Sequence, residues 1–302
     1  MTGTTAVIVV NYSSHKLLQA NLASIHLPQA AQRVIIIDNF SSVSERAAVA
    51  ALCAEHRWEL VTARNDGFGS GVNLGVNRAV AAGCTSVVLL NPDLRMTGAT
   101  VARLAALAES SPTELHCPMI LRPDGSTWFS GGDVLLAKGW TTTAPGTSVD
   151  TNTGWLSGAC LAFNIELFVR VGGMDEDYFM YWEDVDFSWR CQRAGAKLRL
   201  HPELSAVHDV GGTQTTTGKS PLYVYYNCRN RLLFAAKHLH APDRRRWVSA
   251  AVPYAKRVIL RGGRRALLRR AFPLLWAGLR GSSVGIAYVL RLTPRTSELD
   301  RH

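Results

Sequence analysis

Four short apolar runs, Ala6–Asn11, Val34–Ile37, Trp58–Thr62 and Ser86–Leu90, alternate with stretches patterned for helices, and this alternation constrains the fold most. Ala6–Asn11 is continuously apolar until its polar end, as in a strand buried on both faces. A helix is expected over 14–27, with Ser14 as its cap, Leu17, Leu18, Leu22 and Ile25 on its inner face and Pro28 as its stop. Further helices are expected over 44–56, from the end of the Arg64–Asn73 loop to about Gly83, and over 97–109. Strands and helices in this order predict an α/β domain with a parallel sheet.

In open α/β sheets, ligands bind beyond the carboxyl ends of the strands. Those ends carry Asn11, Asp38, the Arg64–Asn73 loop, and Asn91 with Asp93. Each alone is ordinary turn chemistry. Four in succession at one sheet edge mark that edge as a candidate site. The loop glycines Gly67, Gly69 and Gly71 miss the dinucleotide spacing G-x-G-x-x-G, since Val occupies position 72. An NAD-dependent oxidoreductase is therefore disfavoured, although the loop still lets backbone approach a nucleotide closely. Asp93, in the tight turn Asn91-Pro92-Asp93, can hold Mg2+ or Mn2+ beside a diphosphate. His208, at the end of a late strand, can be a further ligand.

From about Met119 the alternation is expected to break down. Ser126–Ala137 suggests a hairpin or irregular strands, 138–152 a loop, and Gly154–Phe163 a turn leading to a buried strand. A short helix over 165–171 closes at Gly172-Gly173, two short strands are expected at 197–201 and 205–208, and a helix at 221–239. The stretch Tyr178–Arg190 runs four aromatics into Glu183, Asp184 and Asp186. Trp182, Val185 and Trp189 fall on one helical face, leaving Asp184 at its margin beside an apolar wall. Partial desolvation there raises a carboxylate pKa and suits it to accept a proton. The competing reading is structural: acids in a first turn favour the helix dipole, and Asp186 can pair with Arg190.

Composition narrows the class. With 47% hydrophobic residues and 8% aromatics, a sizeable core is available. The six cysteines are dispersed without CxxC spacing, which points to a reducing, cytoplasmic setting. The first residues read as a strand, not a signal peptide, and no apolar run approaches the ~18 residues of a membrane span. From Ala241 to His302, fourteen Lys and Arg stand against three Asp and Glu, whereas the remaining residues carry a net charge of −1. The basic tail alternates with apolar patches and resembles amphipathic helices on an anionic membrane face, interrupted at Gly262-Gly263, Pro273 and Gly281. Helices packed on the body with a solvated basic edge are the alternative. Nucleic acid would need aromatic or groove-reading elements that the sequence offers no way to place, so it ranks below both.

The ordered set Val-Val-Asn-Tyr-Ser, Ile-Asp-Asn-Phe-Ser-Ser, Arg-Asn-Asp-Gly-Phe-Gly-Ser-Gly-Val-Asn, Leu-Asn-Pro-Asp, Gly-Trp-Leu-Ser-Gly-Ala-Cys, Tyr-Trp-Glu-Asp-Val-Asp and Tyr-Tyr-Asn-Cys-Arg-Asn resembles the family-two, GT-A fold glycosyltransferases, especially their rhamnosyltransferase-like branch. The resemblance covers roughly Ala6–Lys237 and not the tail. It implies a GT-A domain over 1–240, with a Rossmann-like, mostly parallel sheet flanked by helices, and leaves a basic helical extension over 241–302.

By the same resemblance, Asp38 contacts the pyrimidine base, and Asn11, Arg64, Asn65, Gly67, Asn73 and Asn91 complete the nucleotide side. Asp93 and His208 are the implied metal ligands for Mg2+ or Mn2+, Asn91 standing where the family often has a first Asp. Trp155, Ser157 and Gly158 lie near the donor sugar and acceptor. Glu183 and Asp184 match the family's catalytic pair, with Asp184 the base. An Asp that accepts from N3–H suits uracil or thymine, so the donor is a UDP- or dTDP-sugar. The expectation is an inverting, metal-dependent transferase of L-rhamnose from dTDP-rhamnose to a lipid-linked or glycan acceptor. It would act at the inner face of the cell membrane in cell-surface polysaccharide synthesis. A nucleotide-sugar-binding scaffold without turnover is the rival.

Overall fold

Strand β1 (Thr4–Asn11) is buried from Thr5 onward, as a strand covered on both faces must be. The structure is a computed structural model that describes residues 4–25, 32–143, 149, 151–209, 219–261 and 264–292. The chain forms two compact units, Met1–Asp133 with Thr142–Thr215, and Val134–Thr141 with Thr216–His302.

In the first unit, β1 leads to α1 (His15–Leu17), which continues as a π-helical turn over Leu18–Leu22. There follow β2 (Gln32–Asn39), α2 (Val43–His56), β3 (Glu59–Ala63), α3 (Phe68–Ala81) and β4 (Cys84–Leu90). These four strands pair in parallel in the order β3-β2-β1-β4. The order reverses between β1 and β4, the kind of switch point at which such sheets bind ligands. Helix α3 sits close on this sheet: a Cβ added at Gly75 would lie 2.5 Å from Ile8 Cγ2.

Beyond β4 the sheet becomes mixed. The chain continues through β5 (Leu94–Arg95), α4 (Gly98–Ser110), β6 (Glu114–Leu121), β7 (Thr127–Phe129), β8 (Gly132–Leu135), β9 (Trp140–Thr142), β10 (Gly154–Trp155), β11 (Cys160–Asn164), α5 (Ile165–Arg170), α6 (Glu183–Arg193) and β12 (Lys197–His208). Strand β11 inserts antiparallel between β4 and β6, β12 pairs in parallel with β6, and β5 closes the edge against β12. Gly132 and Asp133 of β8 pair antiparallel with β10.

Several local expectations change. Ser14 precedes α1, yet its hydroxyl donates to Tyr12 O (2.9 Å) and caps nothing. Leu18, Leu22 and Ile25 are buried, Leu17 only partly; Pro28 lies outside the described residues. The glycine loop becomes helix from Phe68, because Gly69 and Gly71 let the first turn of α3 approach Met174 and Val10. The alternation does end near Met119, since β7 to β11 follow β6 without a helix, but β6 itself is unexpected: it is an interior strand of the main sheet, made by Leu-His-Cys-Pro-Met-Ile, which lacks clean period-two patterning. The two late strands are one, β12, with a register irregularity between His201 and Ser205. Part of the 138–152 loop is strand β9; residues 144–148 and 150 lie outside the described residues.

The second unit contains α7 (Pro221–His238), α8 (Ala241–Ser249), α9 (Ala251–Leu260) and α10 (Arg264–Leu292). Helix α7, which a division at 240 would place with the body, is grouped here with the tail helices. Fully buried Arg231 of α7 donates to the Gly139 and Trp247 carbonyls and lies over the Trp247 and Tyr254 rings. Burial pulls its pKa down to about 10. Pro273 and Gly281 do not interrupt α10. A proline inside a helix costs about 3 kcal/mol; Leu274, Ala277 and Val289 of the same helix are buried. Gly281 is required where α10 meets the Tyr225 carbonyl of α7, since an added Cβ would clash. Among the described residues no helix is long and apolar enough to cross a membrane.

Candidate active site

Parallel register sets Asn11, at the end of β1, beside Asp38 near the end of β2. Both are buried. Asn11 Nδ2 donates to Asp38 Oδ1 (3.3 Å) and to Glu45 Oε1 (3.4 Å), while Asn11 Oδ1 has no hydrogen-bond partner. Arg46 Nε pairs with Asp38 Oδ2 (2.7 Å), and the same guanidinium donates to Ala63 O (2.7 Å) at the end of β3. Glu45 takes the His15 amide (2.8 Å) and His15 Nδ1 (2.5 Å). Burial pushes the Glu45 pKa up, but the bonds from His15 and Asn11 outweigh it and leave it lowered. These residues thus form a charged, hydrogen-bonded network at the ends of three adjacent strands.

The next loop is held to the aromatic stretch. Gly67 has φ 105°, a conformation that glycine adopts freely, and a Cβ there would run into Phe179 O. Asn39 Nδ2 donates to Gly67 O (3.0 Å), and Phe68 N to Phe179 O (2.9 Å). Asn65 Oδ1 accepts from Gly67 N (3.3 Å). Asn73, in α3, uses both ends of its amide on the turn after α5: Oδ1 takes Met174 N (2.9 Å), and Nδ2 donates to Met174 O and Glu176. Arg64 is exposed and pairs locally with Asp66 (2.9 Å).

At the end of β4, Asn91 N donates to Ala159 O (2.9 Å). The turn carries Asp93 to the β5–β12 edge, where Leu94 registers with His208. Asp93 Oδ1 and His208 Nε2 face each other at 3.0 Å, both buried, without hydrogen-bond alignment. Neither His208 nitrogen has a hydrogen-bond partner, and the His208 ring packs edge-on against Trp128, 4.4 Å between centroids. Among the described residues no group of three or more His, Cys, Asp or Glu could hold an ion. Two converging donors with unused lone pairs fit a cation whose other positions are filled by phosphate oxygens and water, the usual arrangement for Mg2+.

Helix α6 delivers the acids. Tyr181 (φ 66°) and Trp182 (φ 76°) are both left-handed, a sparsely populated conformation for bulky residues and a common mark of functional strain. Trp182, Val185 and Trp189 are all buried, but only Val185 and Trp189 lie within α6, since Trp182 is its left-handed N-cap. Two bonds dock the helix on the β10 segment: Leu156 N donates to Ser188 Oγ (3.1 Å), and Gln192 Nε2 to Gly154 O (2.7 Å). Half-buried Asp184 then receives Gly158 N on Oδ2 (3.0 Å) and Val185 N on Oδ1 (2.8 Å).

Burial raises the Asp184 pKa in spite of those amide bonds. Glu183 is raised well above the carboxylate range, first by burial and then by the Asp184 charge, and its Oε2 has no hydrogen-bond partner. Asp186 is buried and pairs with Arg190 (2.7 Å). Trp155 is buried beside Phe129, and Ser157 Oγ turns inward to take Ala159 N (3.3 Å). The segment 157–160 therefore joins two parts of the site, since Gly158 bonds Asp184 while Ala159 bonds Asn91.

Residues 6–168 match the family described as Glycosyl transferase family 2. The chain belongs to glycosyl transferase family 2. This family-two enzyme is 30% identical over 255 residues to an N-acetylglucosaminyl-diphospho-decaprenol L-rhamnosyltransferase of Mycobacterium tuberculosis, covering 73% of this chain and 80% of that protein. It is 22% identical over 244 residues to the dTDP-rhamnosyl transferase RfbF of Shigella flexneri, covering 78% and 80% respectively. Its fold is similar to that of a mannosyltransferase from Pyrobaculum calidifontis solved with GDP-Man and Mn2+, with a TM-score of 0.56 and 17% identity over 97% of this chain and 86% of that one. The glycosyltransferase thus has the GT-A fold, a mixed α/β arrangement with a central sheet and flanking helices.

Sequence reasoning did not single out four residues that contact the candidate site residues: His15, Glu45, Arg46 and Trp128. For Glu45 a signal existed. Ser42-x-x-Glu45 has capping-box spacing, and Ser42 Oγ does accept Glu45 N (3.1 Å). The Glu45 carboxylate, however, turns to His15 instead of back to the cap. Trp128 carried no signal, because β7 is a short strand whose proximity to His208 comes from pairing on β6.

Proposed function

We propose that this glycosyltransferase moves a sugar from a pyrimidine nucleoside diphosphate to an acceptor hydroxyl with inversion, and that Asp184 is the base. The observation that carries this is the Asp184 carboxylate, fixed by the Gly158 and Val185 amides with its pKa raised by burial, on a segment whose Ala159 carbonyl accepts from Asn91 N. A carboxylate so placed takes the proton of the attacking hydroxyl as the new bond to the anomeric carbon forms and the bond to the diphosphate breaks. Glu183 lies beside it as a supporting residue, its own pKa raised by burial and by the Asp184 charge. Trp155, Ser157 and Gly158 shape the sugar and acceptor side.

Asp38 reads the base edge, with Asn11 and Arg46 holding it; Arg64, Asn65, Gly67, Asn73 and Asn91 form or support the nucleotide side. Asp93 and His208 would hold Mg2+ or Mn2+, which would supply charge stabilisation to the departing diphosphate. The rhamnosyltransferase relatives support dTDP-rhamnose as donor, and the M. tuberculosis relative, by its name, supports a lipid-linked acceptor. With such an acceptor, the enzyme works peripherally at the inner face of the cell membrane, drawn there by its basic extension over 241–302.

The test is transfer from dTDP-rhamnose, UDP- and GDP-sugars by wild type and Asp184→Asn. The reading requires transfer by the wild type and its loss in a folded, donor-binding variant. Near-normal transfer by Asp184→Asn would overturn the base assignment, and donor binding without transfer by the wild type would favour a silent scaffold.

A further inference from the structure

Helix α10 carries two apolar faces. One packs within the second unit: Leu274, Ala277, Gly281 and Val289 are buried, and Gly278 and Gly285 meet Val224 and Leu232 of α7. The opposite face bears Phe272, Leu275, Trp276, Leu279 and Leu290, which are 78%, 57%, 57%, 61% and 71% exposed. At 3.6 residues per turn, these five fall within an arc of about 100°; the first four form an unbroken stripe about 10 Å long, and Leu290 stands apart beyond exposed Ser283. Exposed apolar residues scattered singly mean little, but a continuous stripe marks an interaction surface.

Charge identifies what covers it. From Arg244 to Leu292 the chain has twelve Lys and Arg and no Asp or Glu. Arg280 and Arg291, on the same helix, are exposed beside the stripe. A second copy packed on this face would set one cationic segment against another, whereas a surface of acidic phospholipid satisfies both the stripe and the arginines. Phenylalanine, tryptophan and leucine on one face of an arginine-rich helix suit the headgroup–acyl boundary.

We infer that α10 lies in the plane of an anionic lipid surface, with Phe272, Leu275, Trp276 and Leu279 inserted and the flanking arginines on lipid phosphates. This rests on the membrane reading of the basic extension and adds that apolar insertion, not charge alone, holds the protein there. The close packing of α10 on α7 makes the inserted stripe a rigid part of its unit.

Flotation of the full chain with vesicles tests this, using equal parts phosphatidylglycerol and phosphatidylcholine against phosphatidylcholine alone. Wild type is expected to bind the anionic vesicles and to keep part of that binding in high salt. Phe272→Ser with Trp276→Ser should weaken partitioning roughly 30-fold. Leu275→Ser with Leu279→Ser should act similarly, and both double variants should keep the wild-type unfolding temperature because these side chains are exposed. Transfer to a water-soluble acceptor analogue should not change, so failure of insertion is distinct from failure of the catalytic reading. Stripe variants that bind like wild type, or wild-type binding abolished by salt, would leave charge adsorption only and overturn insertion. Absence of wild-type vesicle binding, or a wild-type dimer that the stripe variants dissociate, would also overturn it.

Discussion

The Gly158 amide donates to Asp184 Oδ2 at 3.0 Å, tying the segment that precedes β11 to the first turn of α6. A Cβ at Gly158 would sit 3.2 Å from Asp184 Cβ, so the backbone there lies directly against the carboxylate. The carboxylate is thereby fixed by main chain, which side-chain substitution elsewhere does not easily disturb. Asn at position 184 retains an oxygen for that amide but cannot accept a proton. Asp184→Asn is expected to lower transfer about a thousandfold while donor affinity and thermal unfolding stay near wild type, measured by steady-state kinetics and calorimetry.

Glu183→Gln separates stability from activity. The folded-state pKa of Glu183 is raised by burial and by Asp184. The folded protein therefore holds this proton more tightly than the unfolded chain. Stability falls as pH rises from the ordinary carboxylate range through the raised value. Removing the charge should stabilise the protein by about 1 kcal/mol or more at about pH 7.5, with the gain shrinking toward about pH 4. Urea unfolding across that range checks it.

Asp93→Asn and His208→Ala should each weaken Mn2+-dependent donor binding by at least about tenfold, with little effect on binding measured in chelator. Titration calorimetry with a dTDP-sugar, with and without Mn2+, reads both arms. Equal losses in both arms would remove these side chains from the cation site.

Gly67→Ala should destabilise the protein by about 2 kcal/mol and weaken donor binding. The residue has φ 105°, and the added methyl group would meet the Phe179 carbonyl. Chemical denaturation measures the first effect and a thermal-shift series with dTDP-sugar the second.

Arg46→Ala leaves the buried Asp38 carboxylate without its cation. Arg46 is one-third exposed, so the loss should be about 1–3 kcal/mol, together with weaker discrimination between pyrimidine and purine donors. Equilibrium unfolding and donor competition measure the two parts.

The parallel half of the fold was readable because each of its strands is a short apolar run bounded by polar ends. The Asp186–Arg190 pair was readable because i,i+4 spacing is a local property of a helix. Strand β6 was not, since its residues lack a two-residue period and it is made a strand by pairing with β11 and β12. The helical start at Phe68 was hidden because three glycines in five residues normally signal a loop. Here they are what allows close packing against Val10 and Met174.

The sequence by itself determined the order of strand-end polar residues, the acidic first turn of α6 and the basic tail, because each is a pattern of neighbours along the chain. Only the tertiary structure decided that Asn73 braces the 174–176 turn and that Asp93 meets His208. It also decided that Arg46 neutralises Asp38 and that one face of α10 remains exposed. Those relationships join residues far apart in sequence, and packing and burial rather than local propensity bring them together.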